Sequence, residues 1–128
     1  MSDVVNLKAG LAQIGEPWVP TVVGELNGQY VKLGKAQGSY VWHHHENEDE
    51  LFLTVQGALE IHLKDGAGAE RVVTIEEGEF YIVPRGVEHK PVARDGEAHF
   101  LLFEPKQTRN TGNVDHAYTI EPEDLPCL

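Results

Sequence analysis

Side chains of the types that bind divalent metals cluster in the central part of the chain. His43 and His45 are separated by a single residue, Glu50 follows them, and His89 lies further along. Imidazole nitrogens and a carboxylate oxygen are ligands that Fe, Mn, Ni, Co and Zn accept as divalent ions. The sequence therefore predicts a site for one divalent transition metal, and it does not say which of these metals is native.

The spacing of these residues sets conditions on the backbone. In an extended strand alternate side chains share a face, so His43 and His45 point together while His44 points away. Glu50 lies at an odd offset from His45 and would fall on the wrong face of an unbroken strand. We therefore expect the polar run 46–49 to form a turn or bulge that restores Glu50 to the same face.

A strand that begins at Glu50 would point Glu50, Phe52 and Thr54 inward. Its outward positions are all apolar, namely Leu51, Leu53 and Val55. Because an apolar outer face needs a cover, we expect a helix or a second subunit to pack on it.

The elements that must position these side chains are short strands between turn residues, and this pattern predicts an all-β sandwich or barrel. His89 follows the sharp turn Pro84–Gly86, which can aim its ring into the barrel. The predicted strands are Val19–Leu26, Gln29–Lys35, Gly38–His45, Glu50–Gln56, Ala58–Leu63, Glu70–Ile75, Glu79–Val83, Lys90–Ala93 and His99–Glu104.

Outside the strands, apolar residues at helical spacing predict an N-terminal helix over about 3–14, capped by Ser2 or Asp3. The barrel is expected over about 18–104. Residues 105–128 are expected to wrap over the barrel or a partner subunit, and their end, Glu121–Leu128, to form a loosely held acidic tail.

Composition narrows the class of protein. The 128 residues are predicted to form a single domain, 1–128, and ten basic against twenty-one acidic residues give a net charge of −11. Such an acidic surface disfavours nucleic acid and membranes as partners. The only cysteine, Cys127, cannot form an internal disulfide, and the start Met1–Asp3 lacks a basic leader, so a cytoplasmic location is expected.

Two motifs resemble those of the cupin superfamily, whose members are small jelly-roll barrels (double-stranded β-helices) with a metal at the centre. The first is the series Gly38, His43, His45, Glu50 and Gly57, in which four residues stand between the glycine and the first histidine instead of the usual five.

The second motif is matched by Gly78, Pro84, Gly86 and His89, with Ala93 where the family has an asparagine that is not a metal ligand. The resemblance is to small single-domain bacterial cupins of the type-2 barrel, which are loosely described as mannose-6-phosphate isomerase-like. It implies a metal held by His43, His45, Glu50 and His89, and a homodimer formed through the outer sheet.

Function is left open by the resemblance, because the family carries several chemistries on one site. The favoured hypothesis is a metal-dependent enzyme, an oxygenase by preference, that acts on a small organic molecule, with Glu50 as the catalytic group that moves a proton. The alternatives are a non-catalytic ligand-binding or sensing protein with a structural metal, and a sugar or sugar-phosphate isomerase. An isomerase predicts basic residues in the pocket, and the near candidates are Arg85, Lys90 and Arg94.

Other residues of interest are expected to be structural. The aromatic residues on the strands are expected to pack in the core more than to contact a ligand, and they are Tyr40, Phe52, Tyr81 and Phe100. Trp42 should face away from the metal. The remaining histidines are expected to be structural or exposed, and they are His44, His62, His99 and His116.

Overall fold

The computed structural model describes residues 3–128, and within them the chain folds as an antiparallel β-structure with one short α-helix. The elements are α1 (Leu7–Ala12), β1 (Thr21–Leu26), β2 (Gln29–Ser39), β3 (Glu50–Gln56), β4 (Leu59–Lys64), β5 (Glu70–Ile75), β6 (Phe80–Val83), β7 (Glu88–Pro105) and a 3-10 turn (Pro122–Asp124). The predicted all-β jelly-roll barrel with a short N-terminal helix is confirmed. No helix in this described range is long and apolar enough to cross a membrane.

Strand β7 connects the two halves of the barrel. The pairing order is β1-β2-β7-β3-β6, and β4 pairs with both β5 and β7. The first part of β7 lies beside β4, with His89 opposite Leu63, and its second part lies between β2 and β3, with Phe100 opposite Gly34 and Thr54. A single strand therefore carries His89 in one half and the inward residues Phe100 and Leu102 in the other.

Our prediction of two strands, Lys90–Ala93 and His99–Glu104, was wrong at this point. The turn residues between them form a bulge within one continuous strand, because Ala98 pairs with Ala36 while Ala93 pairs with Gly38. The extra residues 94–97 loop out, and the ladder to β2 resumes on either side of them.

The segment from Gly38 to His45 also differs from its prediction as one strand. Strand β2 ends at Ser39, soon after a register shift at Gly38, whose φ is +70°. Beyond it His43 makes only an isolated bridge to His89. The ladder between β2 and β7 ends one residue after Gly38, so the histidines stand on a loop outside the regular strands.

The barrel interior is filled by the side chains that point inward from the strands. This core consists of Trp18, Ala36, Phe52, Leu59, Ile61, Leu63, Ile75, Val83, Ala93, Ala98, Phe100 and Leu102. Strand β3 alternates as predicted, because Glu50, Phe52 and Thr54 are buried while its apolar outward residues are half-buried. The metal-ligand candidates thus share their side of the sheet with the core.

A second apolar cluster lies on the outer face under α1. It contains Leu11, Ile14, Val23 and Leu33, with Val55 and Leu101 packed against it. The helix therefore covers one end of the outer face of β3, as expected for Val55. Beyond its reach, Phe80 and Ile82 of the edge strand β6 remain 60% and 46% exposed.

Both ends of the chain differ from their predictions. The helix is shorter than 3–14 because Asn6 is the N-cap, where its side chain accepts a hydrogen bond from the Ala9 amide at 2.9 Å. Of the predicted caps, Asp3 lies before this start and Ser2 lies outside the described residues. The expected loose tail is instead tied to β1, since Leu128 N donates to Val22 O at 3.0 Å and Val22 N donates to Pro126 O at 2.8 Å.

Candidate metal centre

The predicted metal ligands meet at one buried point. The ligand atoms of His43, His45, Glu50 and His89 all lie within 4.8 Å of one another, and all four residues are buried. Ligands at about 2.0–2.2 Å from a shared ion stand at most about 4.4 Å apart across that ion, so the separation suits one cation after small adjustments. The cluster is compatible with a divalent metal.

Backbone contacts between distant segments bring the ligands together. His43 and His89 exchange two hydrogen bonds, with His43 N to His89 O at 3.0 Å and His89 N to His43 O at 2.8 Å. The Pro84–Gly86 turn contacts the loop that carries His43 and His45, because Gly86 N donates a hydrogen bond to the His45 carbonyl at 2.7 Å. The bend that follows His45 then places Glu50 at the start of β3, on the face predicted for it.

Hydrogen bonds to carbonyl oxygens fix two of the imidazole rings. His43 Nδ1 lies 2.9 Å from the Val41 carbonyl, and His89 Nδ1 lies 2.9 Å from the Val87 carbonyl. A carbonyl oxygen only accepts, so in each neutral ring the proton is on Nδ1 and the lone pair is on Nε2. Contacts of this kind commonly orient histidines that bind metals.

The Nε2 atoms of His45 and His89 lie close to the carboxylate of Glu50. Its Oε1 lies 3.2 Å from His89 Nε2 and 3.4 Å from His45 Nε2, and His45 Nε2 has no hydrogen-bond partner among the described residues. In the neutral tautomer of His89, an acceptor nitrogen thus faces an acceptor oxygen. Buried acceptors in this arrangement require a cation between them, either a proton or a metal ion.

The charges of the site favour a cation. Burial and the nearby His89 lower the pKa of His43 to about 3, which keeps its ring neutral. Burial opposes the charges of Glu50 and His45, but their mutual attraction outweighs it: the pKa of Glu50 falls well below its ordinary value and that of His45 rises. An anionic carboxylate among imidazoles is a donor set that divalent transition metals prefer.

A small apolar cavity lies beside the cluster, with a volume of about 30 Å³, which is room for about two water molecules. His43 and Glu50 reach into it, and its walls are completed by Trp18, Pro20, Tyr40, Phe52, Pro91, Phe100, Leu102 and Asn110. Burial raises the pKa of Tyr40, so its hydroxyl stays protonated and can donate a hydrogen bond. No lysine or arginine of the described chain belongs to this lining.

The three basic candidates for the pocket lie elsewhere. The Arg85 side chain is 64% exposed and faces Asp49, and Arg94 forms two hydrogen bonds at 2.9 Å to Glu60. Lys90 Nζ lies 5.2 Å from the ring centre of Trp42, on the outside of the barrel. Trp42 thus points away from the ligand cluster, as predicted.

Three of the four strand aromatics, Tyr40, Phe52 and Phe100, border the cavity, whereas Tyr81 lines a separate surface groove. Phe52 and Phe100 also belong to the core, so packing and cavity wall are the same surface here. The other histidines lie outside the ligand cluster, as expected. A ring nitrogen of each one is hydrogen-bonded to a residue two positions away in the sequence, and these histidines are His44, His62, His99 and His116.

Sequence reasoning expected residues 105–128 to wrap over the barrel or a partner subunit, but it missed the contacts that part of this segment, residues 108–120 (the C-terminal strap), makes with the loop that carries His43 and His45 (the ligand loop). Asn113 Oδ1 accepts a hydrogen bond from His44 N at 2.9 Å, and Asn113 N donates to His44 O at 3.2 Å. Gly112 lies against the same carbonyl with φ +54°, and a Cβ there would also lie 3.1 Å from His43 Cδ2. Farther along the strap, Tyr118 stacks on Tyr40, with ring centres 5.5 Å apart.

It also missed a buried ion pair behind the cluster, between Lys32 and Glu104. A signal was available for Glu104, which has the same strand parity as Phe100 and Leu102 and therefore points inward with them. Lys32 gave none, because alternation alone does not say which face of β2 is buried.

Comparisons with known proteins agree with this fold. A family model described as a cupin domain matches residues 29–104, and the chain belongs to the cupin family. The uncharacterized protein YdbB of Bacillus subtilis (strain 168) is 31% identical over 127 residues, which are 99% of this chain and 100% of YdbB.

Solved structures share the fold. A cupin-2 domain containing protein from Shewanella frigidimarina NCIMB 400 superposes with a TM-score of 0.73 at 36% identity, over 80% of this chain and 94% of that one. Hydroquinone 1,2-dioxygenase from Sphingomonas sp. TTNP3 superposes with a TM-score of 0.63 at 18% identity, over 77% of this chain and 71% of that one. At that identity the likeness shows a common fold alone.

The strap generates a first prediction. Gly112→Ala places a Cβ on the His44 carbonyl oxygen, so the strap and the ligand loop must separate. We expect the free energy of unfolding to fall by about 1–3 kcal/mol in urea titrations, because the overlap is with rigid backbone. We also expect weaker binding of Co(II), measured by titration.

The matched control is Gly68→Ala. Gly68 has a left-handed backbone, with φ +84°, but a Cβ there meets nothing within 4 Å. The Gly68→Ala variant therefore has the same kind of backbone strain as Gly112→Ala, but its new Cβ overlaps with no other atom. If the two variants lose the same stability and bind Co(II) equally well, the strap does not fasten the ligand loop.

Proposed function

We propose that this protein is a metal-dependent enzyme that acts on a small organic molecule, with an oxygenase as the favoured class. The observation that carries the proposal is the convergence of the Nε2 atoms of His89 and His45 on Glu50 Oε1 at 3.2 and 3.4 Å, an arrangement that a bound cation would stabilise. His43, His45, Glu50 and His89 would hold one divalent Fe, Mn, Ni, Co or Zn ion. When bound, such a metal supplies a Lewis acid and, if it is redox-active, a centre for dioxygen chemistry.

The chain's own side chains suggest how a ligand would be handled. Glu50 borders the cavity as an anion, so it can accept a proton from a molecule bound there. The Tyr40 hydroxyl, which has no hydrogen-bond partner among the described residues, can donate to an oxygen of that molecule. The rings of Trp18, Phe52 and Phe100 exclude water, which strengthens both interactions.

The cavity lining argues against a sugar-phosphate isomerase. A phosphate buried without a cation beside it would be strongly disfavoured, and the lining contains no lysine or arginine. The three nearby basic residues lie on the barrel exterior or face other partners. An uncharged molecule, or one whose anionic group binds the metal directly, fits this cavity better.

The second candidate is a non-catalytic ligand-binding or sensing protein with a structural metal. The small cavity favours it, since about 30 Å³ leaves little room for a substrate unless the strap moves. The two candidates differ in whether a bound metal keeps a position for exchangeable water. Four protein ligands leave two positions in an octahedral site and none in a tetrahedral one.

The metal assignment gives a second prediction. His45→Ala removes a buried ligand candidate, so the variant should retain little metal when purified without additions, measured by elemental analysis. Added Co(II) at about 100 times its dissociation constant should stabilise the wild type by about 2.7 kcal/mol, and the variant by much less. His62→Ala is the control, because His62 pairs with Glu60 and lies outside the cluster. Equal metal content in all three proteins would contradict the assignment.

A third prediction separates the enzyme from the binding protein. Fe(II)-loaded protein should consume dioxygen with at least one member of a panel of small phenols, enols and diketones, followed with an oxygen electrode. At equal iron content, Glu50→Gln should react at least about 100-fold more slowly, since it cannot accept the proton. Tight binding of a panel member with neither oxygen uptake nor a product would favour the non-catalytic alternative.

We also propose that the protein forms a homodimer through β6 and the neighbouring part of β3. Within residues 3–128, strand β6 is an edge strand that pairs with β3 alone, and its Phe80 and Ile82 are exposed. Leu51 and Leu53, their neighbours on β3, extend this apolar surface beyond the cover of α1. Contiguous exposed apolar surface of this kind commonly marks an interface between proteins.

The dimer supplies a fourth prediction. Phe80→Asp should convert a dimer to a monomer in sedimentation velocity, because the charge would be buried in the interface. Val72→Asp is the control, since Val72 is 49% exposed on β5, which does not pair with β6. A monomeric wild type, or a dimer that survives Phe80→Asp, would contradict the proposal.

For the location of the protein, the proposal is the cytoplasm. Cys127 is an unpaired cysteine, which suits a reducing compartment. Fluorescence of a tagged chain should fill the interior of intact cells; fluorescence confined to the cell envelope or the medium would contradict this assignment.

A further inference from the structure

A buried ion pair lies directly behind Glu50. Lys32 Nζ on β2 contacts Glu104 Oε1 on β7 at 2.8 Å, and the two side chains are 0% and 1% exposed. Removing both charges from water costs several kcal/mol per ion, which their attraction offsets only in good geometry. Apolar residues of similar size in place of such a pair commonly give a fold of equal stability. The stability of the fold therefore does not explain why this ion pair is present.

The position of the pair supplies that explanation. Glu104 points into the barrel in phase with Phe100 and Leu102, two residues that border the cavity. In the register of β3 and β7, where Leu51 lies opposite Phe103, one further step brings Glu104 opposite Glu50, and both side chains are buried. The remaining oxygen of Glu104, Oε2, accepts no hydrogen bond from a donor in the described chain. Lys32 therefore contacts Glu104, and Glu104 in turn faces Glu50, the one carboxylate among the ligand candidates.

We propose that Lys32 and Glu104 are positioning residues that set the orientation of Glu50, and through it the affinity and geometry of the metal site. This inference rests on the proposed metal binding. Neither side chain belongs to the ligand cluster itself.

The physical reason is the proximity of two buried carboxyl groups. Two ionised carboxylates on neighbouring strands repel and turn apart unless a cation, either a shared proton or a positive charge beside each, offsets the repulsion. Lys32 supplies one charge to Glu104, and a metal would supply the other to Glu50. With Lys32 anchoring Glu104, the Glu50 carboxylate has one preferred rotation. Replacing a residue that holds a metal ligand from outside the coordination shell typically changes the metal affinity about 10–100-fold.

The test removes the pair as a unit. Lys32→Met with Glu104→Leu replaces both charges by apolar groups of similar volume, so the barrel is expected to fold. We expect its Co(II) dissociation constant to rise about 10–100-fold relative to wild type. We also expect the visible d–d bands of bound Co(II) to shift in position and intensity, since Glu50 can then rotate. A purely structural role for the pair would leave the bands unmoved.

A matched control lies on the same two strands. Lys35 and Glu97 join β2 to β7 at 3.9 Å but are 15% and 42% exposed and are absent from the cavity lining. Lys35→Met with Glu97→Leu should therefore leave both the affinity and the spectrum of Co(II) unchanged.

A second variant guards against loss of folding. Glu104→Asp keeps the charge beside Lys32 but withdraws it from Glu50, and it should weaken Co(II) binding and shift the bands in the same direction. If wild type binds no Co(II), the proposed function fails. If wild type binds Co(II) and the folded variants match it in affinity and spectrum, only the positioning role is overturned.

Discussion

The structure depends on one electrostatic requirement. Three imidazoles and a carboxylate are buried together, and the nitrogens of His45 and His89 face Glu50 Oε1 at 3.4 and 3.2 Å. An Nε2 that carries only a lone pair, as in the neutral ring of His89, is stable beside a carboxylate oxygen when a cation, either a proton or a metal ion, lies between them. Hydrogen bonds from Nδ1 of His43 and His89 to carbonyl oxygens keep the Nε2 lone pairs turned inward, so the arrangement is prepared by the backbone.

The β-architecture satisfies this requirement by joining segments that are distant along the chain. Strand β7 carries His89 beside β4 and then continues between β2 and β3, where Phe100 and Leu102 close the cavity. The His43–His45 loop is not part of a regular strand. It is held by the bridge to His89 on one side and by Asn113 of the strap on the other. The geometry of the site is therefore a property of tertiary contacts more than of any one element.

Much of this could be predicted from the sequence, for physical reasons. Side-chain alternation placed His43 and His45 on one face even though the loop is irregular, because extended backbone alternates with or without a partner strand. Glu50, at an odd offset, needed the turn or bulge that was predicted over 46–49. Turn residues predicted where most strands begin and end. They did not predict that β7 is continuous, since the Asp95-Gly96 pair suits a bulge as well as a turn.

What escaped prediction depends on long-range packing. Lys32 and Glu104 are 72 positions apart, and the sequence around either residue does not predict its contact with the other. The contact of Gly112 with the His44 carbonyl is similarly invisible, because a glycine in a polar segment is typical of any turn. These contacts surround the ligands and do not alter the motifs, so pattern reasoning found the centre of the site and missed its support.

The most direct measurement of the central claim is the X-ray absorption spectrum of the protein loaded with one equivalent of Co(II). The account predicts a coordination shell with imidazole scattering from three histidines together with oxygen ligands, one of them from Glu50. A shell with at most one imidazole, or a spectrum identical to that of the hydrated ion, would contradict it.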